Sequence, residues 1–573
     1  MKYFIPEWND RVDPRYDFIS DTHSPEHEQE PTKNDVYMWE IFGPDKVPFD
    51  GLLISRITIE EDRRKYAQAR FEGIHKALRL PQNFEILGDC GAFGYVNEKK
   101  PPFDPVRILD YYKELGFNYG VSVDHLVVPQ FKNHKEERMK ITYENGVKAY
   151  KEWSKRYIDD FQLVVAIQGW DISDYIKMYK NYVGMGASHL AFGGLSRSLT
   201  PFIAKLIDEL LVEISHSKKM PTYLHFFGLA RTALFPRFQE LENLGVRVGF
   251  DSASYLRKAW LSAPMSQLNY LNPEGKGYTA IRIPFTNKLR AQRAKKLPAG
   301  FALPRLKNLE QESLKTLRLY DGNEASIDEV MLVLFRFNKA IGESPELLPF
   351  YRRTLEDKPW KSCGCPICRQ AGIEVVIFRG NNRNRRRGFH NTYVFHSVFK
   401  NPKLWAAFMN WREKKPGTEL SSLKKGDNVL VVTECSKRKL GYRINVRTTA
   451  QEMYQGRLFK CVRRYCQAMG FNYVIISAKY GLLLPNDIIG GYEKILSNEQ
   501  DVLDIQPAVE KKLGELLKEH DKIVVIAGEK YRKALHNLWD DRFTIIRSKG
   551  YGDLCNIIEK ATPPEAGLLK YIP

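Results

Sequence analysis

The sequence predicts an α/β protein made of a (β/α)8 TIM barrel, an added cysteine-containing subdomain and a smaller doubly wound α/β domain. Two observations predict this fold class. Through about residue 260, short apolar runs alternate with longer charged segments whose apolar residues recur every three or four positions. A second, shorter alternation of the same kind begins near residue 428. Strands joined by helices pair in parallel with right-handed crossovers, and eight such strands close a barrel.

Eight apolar runs are the candidate barrel strands, and the segments between them have the period of amphipathic helices. The runs lie at 3–6, 52–55, 85–89, 119–123, 163–168, 189–192, 222–227 and 246–251. The helical segments lie at 59–78, 105–115, 142–161, 172–185, 200–215 and 230–244. A long stretch rich in Pro and Asp, 10–49, separates the first two runs, so the alternation is least regular there.

Length and composition bound the organisation of the chain. With 573 residues it is too long for one core, and we expect the barrel at 1–345, the cysteine-containing subdomain at 346–416 and the second α/β domain at 426–573. No window approaches a membrane span, and the N-terminus lacks the apolar core of a signal peptide. Eight cysteines, three of them within six positions, suit metal binding in a reducing compartment. We therefore expect a cytoplasmic protein that does not associate with membranes.

The charge balance points to a polyanionic partner. Lys and Arg number 88 against 69 acidic residues, which gives a net charge of +19 and a pI near 9.3. A surplus of this size favours nucleic acid as the partner. The alternative is a protein that is basic throughout, with no particular polyanionic ligand.

The predicted strand ends carry a set of polar residues and glycines. A TIM barrel places its chemistry at the carboxyl ends of its strands, so residues at these positions are expected to meet at one mouth. The candidates are Asp89, Asp124, Gln168, Gly193, Gly194 and Asp251. Each has a structural explanation as well, because such residues also cap helices and form turns. Their occurrence together at predicted strand ends favours an active site.

Three cysteines, Cys363, Cys365 and Cys368, cannot all pair with one another, but they can occupy three corners of a tetrahedral zinc site. His390 is the preferred fourth ligand and His396 the alternative, both in a segment with strand-like character. Four protein ligands would close the site, so we expect structural Zn²⁺. Between the cysteines and the histidines, residues 379–387 contain five arginines with Gly and Asn, which indicates either a phosphate-binding loop or a solvated basic loop.

The second α/β unit has candidate strands at 428–433, 472–477, 522–527 and 543–546. Lys437, Lys479 and Lys530 follow three of these strands, which indicates an anion or nucleotide site at the carboxyl edge of the sheet. Neither a Rossmann glycine fingerprint nor a P-loop is present. One hypothesis is that these lysines grip a polymer, and unchanged DNA affinity after truncation near residue 425 would contradict it.

These motifs, in this order, resemble the queuine/archaeosine tRNA-guanine transglycosylase family over roughly residues 1–400. The run Asp89-Cys90-Gly91-Ala92-Phe93-Gly94 is similar to the family's D-S-G-G-F-Q, and Phe250-Asp251-Ser252 to its F-D-C. The remaining matches are Gln168-Gly169 with Q-G, Gly193-Gly194-Leu195 with G-G-L, and Cys363, Cys365, Cys368 and His390-Asn391 with the zinc motif. The opening Phe4-Ile5-Pro6-Glu7-Trp8 and the appended domain look more like the DpdA-type DNA-guanine transglycosylases. Cys90, Ala92, Gly94 and Ser252 depart from the family pattern.

The resemblance implies base exchange. Asp251 would attack the anomeric carbon and expel guanine, leaving a covalent glycosyl ester, while Asp89 would transfer protons. Phe93 would stack on the base, Asp124 and Gln168 would hydrogen-bond to its edge, and the Gly193-Gly194 backbone would close beside it.

The leading hypothesis is replacement of guanine in DNA by a free 7-deazaguanine base such as the 7-cyano form. The same exchange on tRNA is the second hypothesis, although no C-terminal PUA-type RNA-binding module is apparent. A catalytically inactive nucleic-acid-binding subunit is the third, and the presence of both carboxylates counts against it. For the assembly, we consider a homodimer.

Overall fold

The computed structural model describes residues 1–7, 9–81, 84–260, 268–274, 276–286, 303–343, 347–402, 404–405, 420, 423–440, 446–535, 538, 542–546, 548 and 550–563. Trp8 of the opening motif and the predicted domain boundaries at 345–346 and 416 lie outside these ranges. The chain forms two compact units. The first comprises Met1–Arg282 and Pro359–Met409, and the second Ile283–Lys358 and Asn410–Pro573. The predicted domain boundaries stay a prediction.

The first unit contains a closed barrel of eight parallel strands, which confirms the predicted fold class. The strands are β1 (Lys2–Pro6), β2 (Gly51–Ser55), β3 (Glu85–Asp89), β4 (Tyr119–Val121), β5 (Gln162–Ile167), β6 (His189–Phe192), β7 (Tyr223–Phe226) and β8 (Arg247–Asp251). β1 pairs with β8 on one side and with β2 on the other, which closes the ring. Alternate strand residues, among them Phe4, Leu87, Val164 and Tyr223, fill the barrel interior.

Helices surround the barrel where the three- to four-residue period predicts them. They are Arg56–Glu61, Arg63–Glu72, Ile74–Ala77, Arg107–Leu115, Lys135–Arg156, Ile172–Met185, Thr200–His216, Phe235–Asn243 and Ser254–Lys258. The predicted helix at 59–78 is three short helices, because Asp62 caps the second through its side chain and Gly73, at φ 86°, ends it. Helix Thr200–His216 shows the general pattern, since it buries Ile203, Leu206, Ile207, Leu210 and Ile214 along one face.

The insertion between β1 and β2 has its own small elements. Strands Arg11–Val12 and Val36–Tyr37 pair in antiparallel fashion, and helices Pro25–Gln29, Pro31–Asn34 and Met38–Phe42 complete the insertion. Further along the unit, strands Tyr270–Leu271 and Gly277–Tyr278 form an antiparallel pair, and Ile281–Arg282 pairs in parallel with Ile377–Phe378. Cys363 and Cys365 lie between helices Pro359–Ser362 and Pro366–Ala371, and Cys368 lies in the second of these helices.

The predicted strand-like segment around residues 390–396 is wrong. These residues lie in a 20-residue helix, Gly380–Phe399, which we call the arginine helix. Val394 and Phe395 of the run that suggested a strand are buried in this helix, and Phe395 stacks on Tyr255 with ring centroids 4.1 Å apart. Tertiary packing has overridden local strand propensity here.

The two loop interpretations of the arginine run are also wrong. Arg383, Arg386 and Arg387 are fully buried within the first unit. Arg383 forms ion pairs with Glu374 and with Asp21 of the insertion. Arg387 donates hydrogen bonds to the carbonyl oxygens of Ala259, Val375 and Ile377. A buried guanidinium group needs acceptors for its five N–H groups, and these internal partners supply them. The three arginines therefore stabilise the fold of the first unit.

The second unit contains the second α/β sheet. Its strands are β9 (Val429–Glu434), β10 (Asn472–Ser477), β11 (Gly481–Leu483), β12 (Lys522–Ile526) and β13 (Phe543–Ile545), in the order β11-β10-β9-β12-β13. All four predicted strands are present and parallel, and β11 adds an antiparallel edge that the sequence did not predict. The helices of the unit are Leu303–Asp321, Ile327–Ile341, Leu348–Asp357, Ala450–Met453, Arg457–Met469, Glu499–Leu516, Glu529–Lys533 and Tyr551–Ala561. Strands Arg447–Thr449 and Ile488–Gly490 form a separate antiparallel pair.

Among all the helices within the described ranges, none is both long enough and apolar enough to cross a membrane.

Candidate active site

The barrel strands bring the predicted polar residues to one end of the barrel. Asp89 is the last residue of β3 and Asp251 the last residue of β8. Asp124, Gln168 and the Gly193-Gly194 pair follow β4, β5 and β6. Because all eight strands are parallel, these positions lie at the same mouth of the barrel.

Asp251 is buried and held by two hydrogen bonds to the same carboxylate oxygen. His225 Nε2 lies 3.0 Å from Oδ1, and the backbone N–H of Gly228 donates to Oδ1 at 3.1 Å. In the described part of the chain, no donor to Oδ2 is found. One oxygen is therefore anchored to the protein, while the other is available to a reacting atom.

The hydroxyl group of Tyr223 orients the His225 ring. Tyr223 Oη lies 2.9 Å from His225 Nδ1, and both side chains are buried inside the barrel. If the tyrosine donates to Nδ1, the imidazole keeps its proton on Nε2 and donates it to Asp251. Gly249 makes room for this chain, because a Cβ there would lie 2.0 Å from Tyr223 Oη and 2.9 Å from His225 Nδ1.

The surroundings of Asp89 favour the protonated form of its carboxyl group. The N–H of Gly91 donates to its Oδ2 at 3.0 Å, which lowers its pKa, but burial and the nearby Asp124 carboxylate act more strongly in the other direction. Together they raise the pKa of Asp89 to about 7, and the charge of Asp251 adds to the same effect. Asp89 can therefore hold or release a proton near neutral pH, as a general acid or base must.

Asp124 and Gln168 form a buried hydrogen-bonded pair. Gln168 Nε2 donates to Asp124 Oδ2 at 2.7 Å, and Gln168 Oε1 accepts from the N–H of Val127. Burial raises the pKa of Asp124 to about 6, although the bond from Gln168 opposes this. A Cβ at Gly193 would lie 2.2 Å from Gln168 Nε2, so only glycine lets the backbone pass this close to the pair.

Phe93 is an exposed aromatic residue four positions after Asp89. It follows Asp89 in a turn closed by a bond from the Gly94 N–H to the Gly91 carbonyl, and it is 59% exposed. Its position is compatible with stacking on a planar ligand.

Sequence reasoning missed four residues around the candidate carboxylates, of which Cys90 and His225 contact a carboxylate directly. Cys90 was seen only as a departure from a motif, yet its buried thiol lies 2.9 Å from Tyr95 Oη and 3.6 Å from Asp124 Oδ1. Tyr95 in turn donates to the Asp124 carbonyl at 2.9 Å. Tyr223 and His225 were counted only as part of an apolar run. The one available signal was their alternation, which places both on the inward face of β7.

The structure brings Cys363, Cys365, Cys368 and His390 into one buried group, as predicted. His390 Nδ1 lies 3.3–3.6 Å from the three sulfur atoms, while its Nε2 donates to the Leu271 carbonyl at 2.6 Å. His396 is not part of the group and approaches Asp50 instead. Three thiols and one imidazole, with the second ring nitrogen fixed by a carbonyl, form a donor set that fits zinc.

Fold and site together define a (β/α)8-barrel enzyme with paired carboxylates at the mouth of the barrel and a Cys3His group in the same unit. A DNA-guanine transglycosylase from Salmonella montevideo is 31% identical to the chain over 423 residues, which cover 69% of this chain and 96% of that relative. The chain belongs to the DNA-guanine transglycosylase family, and it is a guanine transglycosylase. Residues 429–549 match a family of unknown function, DUF6884.

Proposed function

We propose that the chain replaces guanine in DNA with a 7-deazaguanine, such as the 7-cyano form, through a covalent ester between Asp251 and the sugar. The name of the curated relative supports guanine exchange on DNA. The observation that carries the mechanism is the unequal setting of the two carboxylates. Asp251 is anchored through one oxygen, and Asp89 has a pKa near neutrality.

In the first half of the reaction, Oδ2 of Asp251 attacks C1′ of the deoxyribose. The bond from C1′ to N9 of guanine breaks, its electron pair goes to the base, and protonated Asp89 gives the departing guanine a proton. In the second half, N9 of the 7-deazaguanine loses its proton to Asp89 and attacks C1′, which displaces Asp251. Two displacements retain the configuration of the sugar, as in retaining glycosidases.

The other predicted residues would form the base pocket. Phe93 would stack on the extruded base, and the Asp124–Gln168 pair would hydrogen-bond to its polar edge. The backbone at Gly193 and Gly194 would lie beside the base, since neither position has a Cβ to fill that space.

Zn²⁺ is the metal that the Cys3His group would hold. Four protein donors complete a tetrahedral site, so the ion would stabilise the fold and leave no position for a substrate. The proposed base exchange takes place at carboxylates outside this group.

An exchange assay tests the proposal. Purified full-length protein is incubated with DNA or tRNA and with labelled guanine or labelled 7-cyano-7-deazaguanine. We expect label to enter DNA, and wild-type protein to form a DNA complex that survives denaturation. Asp251→Asn should abolish both signals. Asp208→Asn, a change on an outer helix where Asp208 pairs with Arg237, is the matched control and should leave both intact. Label entering tRNA alone, or undiminished exchange by Asp251→Asn, would contradict the proposal.

A further inference from the structure

The second unit has a cavity of about 670 Å3 at the carboxyl edge of its sheet. Its lining comes from the segment that follows β9, the segment that follows β12, and the starts of helices Arg457–Met469 and Tyr551–Ala561. β9 and β12 are neighbours, and the chain leaves β9 for β10 on one side and reaches β12 on the other. In open parallel sheets this switch point is where ligands bind, and the volume suits one small molecule.

One part of the lining favours a phosphate. Lys437, Arg457 and Lys530 line the cavity, against the carboxylates of Glu434 and Glu529. Helix Arg457–Met469 opens onto it with Gly456 as its N-cap, and glycine has no side chain to cap the first turn. The N–H groups at such a helix start add to the attraction of Lys437 and Lys530 for an anion. The Arg457 guanidinium instead lies 3.6 Å from the Glu559 carboxylate.

Another part of the lining favours a planar, partly apolar group. Phe459, Tyr531 and Tyr551 supply aromatic rings, and Leu458, Ile495 and Leu496 supply aliphatic surface. The Glu434 carboxylate accepts one hydrogen bond on each oxygen, from the Gly528 N–H and from Tyr551 Oη. A carboxylate has about four lone-pair sites, so each oxygen can accept one further bond.

We propose that this cavity binds a guanine-type nucleotide. The phosphate lies at the start of helix Arg457–Met469 with Lys437 and Lys530, and the base lies against Tyr531. Glu434 accepts hydrogen bonds from the adjacent N1–H and amino donors of the base. Guanine and 7-deazaguanine present two such donors side by side, whereas adenine does not. This assigns a ligand to the part of the chain that matches a family of unknown function.

Isothermal titration of the full-length protein with dGMP, dAMP, deoxyguanosine and inorganic phosphate tests this inference. The Asp251→Asn variant is used throughout, so that exchange in the barrel does not contribute. We expect dGMP to bind at least tenfold more tightly than the other three ligands. Lys437→Ala and Lys530→Ala should each weaken dGMP binding about tenfold, and Glu434→Gln should remove the preference for dGMP over dAMP.

Lys479→Ala is the matched control, because Lys479 follows the neighbouring strand β10 but does not line the cavity. A single-stranded oligonucleotide with one dG, titrated in parallel, distinguishes a free nucleotide from a nucleotide within DNA. Photolabelling with 8-azido-dGMP should modify peptides containing residues 528–535, which keeps the test valid if a variant fails to fold. Absence of binding by both dGMP and the oligonucleotide, equal affinity for phosphate alone, or equal weakening by Lys479→Ala would overturn the inference.

Discussion

Replacing His225 tests whether the anchoring of Asp251 matters for catalysis. His225→Phe keeps a ring of similar size between Phe4 and Phe227 but removes the 3.0 Å bond to Asp251 Oδ1. A hydrogen bond to a charged group contributes about 1.5–3 kcal/mol. If that contribution is made in the transition state, its loss corresponds to a decrease in kcat/KM of roughly 10- to 150-fold. The Gly228 N–H remains, so some activity should persist.

The assay is incorporation of labelled guanine into DNA under single-turnover conditions, with the thermal midpoint measured in parallel. His225→Gln, whose amide can donate from a similar position, should recover much of the lost rate. Tyr223→Phe removes only the partner of Nδ1 and should have the smaller effect, because the imidazole can still donate to Asp251. An unchanged rate in His225→Phe, or a loss explained entirely by unfolding, would refute the role assigned to this bond.

Three further predictions concern other parts of the first unit. Asp89→Asn should abolish exchange yet raise the free energy of unfolding at pH 7 by a few kcal/mol. A carboxyl group whose folded pKa is about 7 makes the native state lose stability as the pH rises from about 4 to 7. The gain in stability, measured by urea denaturation, should therefore shrink towards pH 4. Arg387→Ala should lower the free energy of unfolding by at least about 3 kcal/mol, because three buried carbonyl groups lose their donor. Arg385→Ala, at a half-buried position, should lower it by less than about 1 kcal/mol in the same urea denaturation assay. In elemental analysis, Cys368→Ser should reduce bound zinc from about one ion per chain to near zero, and it should also lower the thermal midpoint of unfolding. Cys461→Ser changes a cysteine outside the group and should retain the metal. Equal zinc in both variants would argue against the site.

The barrel was predictable because its parallel strands are buried on both faces. Such strands appear as continuous apolar runs between helical segments, and the predicted runs at 85–89 and 189–192 coincide with β3 and β6. The three cysteine ligands were predictable from spacing alone, because three thiols within six residues have few other uses. Spacing did not by itself decide between His390 and His396 as the fourth ligand.

What the sequence did not reveal depends on contacts between distant segments. Nothing local shows that Arg383 meets Asp21, 362 residues away, so a run of arginines was interpreted as solvated or phosphate-binding. A histidine in a strand is equally uninformative until its partner, Asp251, is brought beside it. The roles of the mouth residues are still predictions for the exchange assay to test.

The arginine helix has a consequence for how the protein is made. Through it, Arg383 and Arg386 bond to Phe18 and Asp13, which the ribosome produces 365 and 373 residues earlier. At about 5–20 residues per second, roughly 20 to 75 seconds separate the two ends of these bonds. Strand β1 likewise cannot pair with β8 until β8 has been synthesised. Pairing within the insertion and between β1 and β2 can form early, whereas Asp13, Phe18 and the second edge of β1 stay without these late partners until most of the first unit has been synthesised.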